Sequence, residues 1–198
     1  MNASIVTEIQ KQLGPDAVEN IGRQLGADTQ TTSNAIGMAL PMLLGGLAKN
    51  ASDPQGASSL NQALSAHDGS ILDNLGGLFQ NPGASAGGAI LGHILGGKRA
   101  PVEQGIGKAT GMNSAQIGQL LVMLAPIVMG VLGRMKQKQG LDERQIPDVL
   151  NQSRAEIEQR APETSVLGRI LDQDNDGSIA DDIARMGSSV LGGMFGRR

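Results

Sequence analysis

Three features of the sequence predict an all-α fold. The core palette is Leu, Ile, Val, Met and Ala, with nine Met but only two Phe, no Trp and no Tyr. Sheets favour aromatic and β-branched residues, whereas this palette suits close-packed helices. Apolar residues also recur at helical spacing between recognisable caps. Finally, two apolar runs, Ala35–Ala48 (AIGMALPMLLGGLA) and Leu120–Gly133 (LLVMLAPIVMGVLG), each carry a central proline, Pro41 and Pro126. With 39% hydrophobic residues among 198, the chain can bury a core as one domain or two small ones.

Taken in order, residues 1–14 fit a short amphipathic helix with Ile5, Ile9 and Leu13 on one face. Pro15 interrupts it, and Ala17–Leu25 resumes the pattern until Gly26. Asp28 is placed to cap a long helix through the first apolar run to about Lys49. Asp53-Pro54 reads as a cap followed by proline in the first turn, opening a helix with Leu60 and Leu64 on one face. After HDGS (67–70), Ile71–Phe79 is expected to be helical, and NPGASAGG (81–88) reads as a linker. Ala89–Leu95 is then a short apolar helix.

A second cycle follows. Pro101–Thr110 is a helix stopped by Gly111, and Asn113 caps the long helix that carries the second apolar run to about Gln139. Asp142 caps a polar helix to about Arg160, with Ile146, Val149, Leu150 and Ile157 as its apolar positions. Val166–Leu171 and Ile179–Phe195 complete the helical pattern.

The two cycles match at a constant offset. Gly26 and Gly111 stand 85 positions apart, as do Ile21 and Ile106, Gly22 and Gly107, Asp28 and Asn113, Pro41 and Pro126, and Gly45 and Gly130. DGSILDNL (68–75) is echoed by DGSIADDI (176–183). An internal duplication is therefore expected, each unit packing on its copy. The units are 1–80 and 98–160, joined by a Gly-rich linker and short helix over 81–97 and followed by an acidic-loop hairpin over 161–198. Small residues at every fourth position, Ser33, Gly37, Pro41 and Gly45, with Gly118, Pro126 and Gly130 in the copy, should let another helix approach closely. Proline in mid-helix should bend both long helices. Their expected role is to form the core. A homo-oligomer contact is the alternative, and membrane insertion is disfavoured because neither run reaches roughly 20 residues.

The net charge of −3 and the scarcity of aromatic rings argue against nucleic acid, which needs a basic face and stacking platforms. With no cysteine, disulfides, thiolate metal sites and cysteine nucleophiles are excluded. The N-terminus lacks a basic stretch followed by an apolar one, so no secretory signal is read there and a cytoplasmic protein is expected.

One stretch carries ligand chemistry. In LDQDNDGSIADDI (171–183), Asp172, Asp174 and Asp176 alternate before Gly177, the opening of an EF-hand-type loop. Alternate carboxylates on a tightly turning backbone converge on one hard cation, and Ser178 would add its carbonyl. Ile183 stands where the bidentate glutamate belongs, so Asp182 would have to reach the ion and Ca²⁺ binding would be weak. The same residues also suit an ion-free helix start, with Ser178 as cap and Asp181 and Asp182 in the first turn. In the first cycle, Leu64 and Ala66 replace the first two aspartates, so no ion is expected there.

His67 and His93 are the only histidines, and His93 in ILGHIL is expected to be a packed helix residue. No acid, base and nucleophile converge, so no catalytic residue is assigned and an enzyme is not expected. GGKR (96–99) and the terminal GRR lack the context of a phosphate loop and read as linker and tail.

ALPMLLGGLAKN, HDGSILDNL, GAILGHILGGKR, LLVMLAPIVMGVLGR and LDQDNDGSIADDI, in this order, resemble the YidB-like bacterial family, a domain of unknown function. The resemblance spans about residues 15–198. It implies a helical bacterial protein and brings no activity or catalytic residue to carry over. The expected function is a non-enzymatic binding or scaffold role with a weak calcium loop. The alternative is a membrane-surface or homo-oligomer-forming protein that uses its Gly/Leu-rich helices.

Overall fold

The computed structural model describes residues 5–80 and 86–160. The sequence-predicted acidic loop and terminal helix lie outside these residues, as does most of the linker. Within them the protein is all-α, with no strand. The helices are α1 (Ile5–Gln12), α2 (Pro15–Leu25), α3 (Thr29–Asn50), α4 (Pro54–Ala66), α5 (Leu75–Gln80), α6 (Gly87–Leu95), α7 (Arg99–Thr110), α8 (Ser114–Gln139) and α9 (Gln145–Arg160). Short 3-10 helices occupy Ser70–Asn74 and Gly96–Lys98.

Local chemistry sets most boundaries. Asp28 caps α3, accepting from the Thr31 amide at 2.9 Å and from the Thr31 hydroxyl at 2.6 Å. Asp53 caps α4 by accepting from the Gly56 amide at 2.9 Å, with Pro54 in the first turn, where its missing N–H costs nothing. Asn113 and Gln116 form a capping box at the start of α8: each side chain accepts from the other's amide at 2.9 Å. α2, α7 and α8 all end on a left-handed glycine, Gly26, Gly111 and Gly140.

The α2–α3 and α7–α8 turns are built alike. Beyond the shared caps, a side chain at Gly22 would strike the Ala27 carbonyl at 2.9 Å, and one at Gly107 the Met112 carbonyl at 2.7 Å. Ala27 and Met112 are themselves 85 positions apart, so each glycine admits the corresponding carbonyl of its own turn.

Two elements differ from expectation. The helix predicted over 71–79 begins as a 3-10 turn and becomes α-helical only at Leu75. Asp68 accepts from the Ser70 amide and Gly69 adopts φ +89°, which winds the chain tightly before Leu72 bonds back to Gly69. The GGKR stretch is likewise no loose linker. Gly96–Lys98 is a 3-10 turn that leads directly into α7 at Arg99. Asp142 and Gln145 exchange bonds of about 3.0 Å, and regular α9 starts at Gln145.

The fold is organised around α8. Every residue from Met123 to Gly133 is buried, and α1, α2, α3, α4, α6, α7 and the 70–74 turn all pack on it. A helix apolar on every face needs that enclosure. By length and composition α8 could cross a membrane, but 78% of its most apolar window is covered by the rest of the protein.

The companion helix is not equivalent, which corrects the expectation of two matched central helices. α3 buries Ala35, Ile36, Ala39, Leu40, Leu43, Leu44 and Leu47 and packs on α8, but among the described residues its opposite face is open. The small-residue row predicted to receive a helix lies on that open face: Ser33 and Gly37 are exposed, Pro41 and Gly45 half-exposed. Among the described residues, nothing lies within 4 Å of a side chain built at Gly37 or Gly45. Burying a Leu or Ile contributes roughly 1.5–3 kcal/mol, and a row of Gly, Ser and Pro has much less apolar surface to bury. The aliphatic face therefore turns inward. Both helices run unbroken through their prolines.

Candidate functional site

Asp172, Asp174, Asp176, Ser178 and Asp182, the ligand set read from the sequence, all lie outside the described residues. Among the described residues, no three His, Asp or Glu side chains converge as metal ligands. Three places remain where side chains are arranged with some purpose: the DGS turn after α4, a groove between α7 and α8, and the open face of α3.

The Asp68-Gly69-Ser70 turn shares its motif with the acidic loop but not the preceding aspartates. Leu64, where Asp172 stands in the second cycle, is buried in the core. The Asp68 carboxyl is held below its ordinary value of 3.8, first by the Ser70 amide, then by the Ser70 hydroxyl, with a smaller contribution from the Arg134 charge. Arg134 reaches across from α8, donating to the Gly69 carbonyl at 2.7 Å and to Asp73 Oδ1 at 2.8 Å. A side chain at Gly69 would meet Arg134 and the Gly130 carbonyl at 2.9 Å. This DGS turn is therefore a docking device, its acidic group engaged by its own backbone and its glycine pressed on α8.

Long side chains repeat this role elsewhere. Lys136 Nζ donates to the Asn61 carbonyl at 2.9 Å and to the Ser65 hydroxyl at 2.7 Å, tying down the last turns of α4. Asn50 donates to the carbonyls of His93 at 2.7 Å and Ile94 at 3.2 Å near the end of α6. Gln24 donates to Phe79, and Gln116 to Leu25 at 2.7 Å. The last turn of a helix leaves carbonyls without intrahelical partners, and Asn50, Gln24 and Gln116 supply donors there. Their roles had no signal in the sequence, because each partner is distant along the chain.

The groove between α7 and α8 has a volume of about 320 Å³ and is lined by Arg99, Glu103, Ser114, Gly118, Gln119 and Val122. Arg99 Nε and Glu103 Oε1 pair at 2.6 Å, with the Glu103 side chain only 15% exposed and the Arg99 side chain 42%. A side chain at Gly118 would strike Glu103 Oε1 at 2.8 Å, so this small residue does receive a neighbour, as the spacing predicted. The i, i+4 spacing of Arg99 and Glu103 was visible in the sequence.

His93 corrects another expectation. α6 buries Ile90, Leu91, Ile94 and Leu95, which leaves His93 exposed on its outer face rather than packed. His67 closes α4 and bonds through its amide to the Ala63 carbonyl.

The open face of α3 carries Met38, Pro41 and Met42, all half-exposed, beside Gly37 and Gly45. Met38 and Met42 also touch the core, so the face is held in place from beneath.

No curated protein and no solved structure matched the chain. A family model described as a bacterial protein of unknown function matches residues 7–137, from within α1 almost to the end of α8. That span holds both matched turns, both proline helices and the DGS turn, and it covers well over half of the sequence. The chain belongs to this bacterial family of unknown function, DUF937.

Proposed function

We propose that this chain is a non-enzymatic binding or scaffold protein of the cytoplasm, with a weak calcium site in its C-terminal acidic loop and no nucleic-acid partner. The open face of α3 is the observation that supports a binding role. Methionine side chains adapt to a partner's shape, and glycines let a partner's backbone come close. The aliphatic residues on the other side of α3 are locked in the core, so the face is preformed. The equivalent turns of α2–α3 and α7–α8 support reading the scaffold as a duplicated unit. The calcium assignment is supported by the alternation of Asp172, Asp174 and Asp176 before Gly177, and the lack of glutamate at position 183 places its affinity in the roughly millimolar range. Calcium titration of the full chain, followed by thermal melting, tests it. The melting temperature should rise at millimolar calcium, and Asp174→Ala should abolish the rise. An unmoved wild type, or an equal rise in the variant, removes calcium from the proposal.

The alternative, self-association or attachment to a membrane surface, draws on the same face of α3. Light scattering and liposome co-sedimentation of the wild type and Gly45→Arg distinguish it. A wild-type assembly or lipid-bound fraction that the variant loses supports this alternative. A wild type that is monomeric and ignores lipid excludes it.

A further inference from the structure

We draw no further inference here: the strongest candidate, the open groove between α7 and α8 over Gly118, carries nothing because its cationic group, Arg99, is already paired with Glu103 and nothing in the structure shows what would fill it.

Discussion

Gly133 of α8 lies directly beneath the carbonyl oxygen of His67, at a separation that leaves no room for a methyl group. The Leu64 carbonyl crowds the same position at 3.0 Å. The end of α4 therefore rests backbone to backbone on the middle of the fold, and only glycine permits it. Gly133→Ala should lift α4 from α8 and cost about 1–3 kcal/mol, the range for overpacking a filled core. Gly45→Ala is the control. It stands in a helix with nothing among the described residues within 4 Å, so alanine should stabilise by roughly 0.5–1 kcal/mol. Urea denaturation of the two variants should therefore give midpoint shifts of opposite sign. Shifts of the same sign would contradict this view of the two helices.

Arg134 holds the DGS turn through two bonds of unequal value. Its own side chain is 24% exposed, but Asp73 is 72% exposed, and an ion pair with so open a carboxylate is screened by water and salt. Asp73→Ala should cost less than about 1 kcal/mol. Arg134→Ala should cost more, about 1–3 kcal/mol, because the partly buried Gly69 carbonyl loses a charged donor. Melting curves at low and high salt check this. The loss in Arg134→Ala should persist in high salt, while any loss in Asp73→Ala should fade.

Two exposed carboxylates give stability a defined acid dependence. Asp28 is held below 3.8 chiefly by the Thr31 hydroxyl and amide, and Asp68 chiefly by the Ser70 amide. A carboxyl depressed in the folded state contributes stability that is fully present above its unfolded value. That contribution is lost as the pH falls through the folded value. Stability should therefore be insensitive to these groups near neutrality and decline below about pH 3.8. Asp28→Asn keeps a good cap but cannot titrate, so its stability should fall less steeply in acid than that of the wild type. Parallel acid limbs for the two proteins would rule out Asp28 as a contributor.

The cap of α8 can be tested separately. Asn113→Ala removes the acceptor for the Gln116 amide and should cost about 0.5–2 kcal/mol. Asn113→Asp should recover most of it, since an aspartate accepts the same bond and suits the positive end of the helix. Failure of aspartate to restore the denaturation midpoint would mean that Asn113 acts through something other than capping.

What could be read in the sequence was what depends on neighbouring residues. Asp28, Asp53, Asn113 and the left-handed Gly26 and Gly111 act within a few positions of themselves, and the helix ends they define were foreseen. The enclosure of α8 rather than α3 was not. Both runs are apolar and both carry proline, so the outcome turned on which face carried the large aliphatic side chains and on where α1 and the 70–74 turn came to rest. The outward turn of His93 follows from the same limit, as its exposure was decided by the docking of Ile90, Leu91 and Ile94. The 3-10 turn after Gly69 rests partly on Arg134, 65 residues away. Of the chemistry, the alternation of Asp172, Asp174 and Asp176 is a local pattern too, but it lies outside the described residues.

Gln116 has a consequence for how the molecule comes apart. Its amide oxygen completes the box at the head of α8, while its amide nitrogen holds the Leu25 carbonyl at the tail of α2. One side chain thus closes a turn in one half of the chain and stops the fraying of a helix in the other. The corresponding residue of the first half, Thr31, bonds among the described residues only within its own turn. Melting of α2 would release Gln116 and loosen the start of the helix around which everything else is packed. The halves should accordingly lose their structure in one concerted transition, with no partly folded species in which a single half survives.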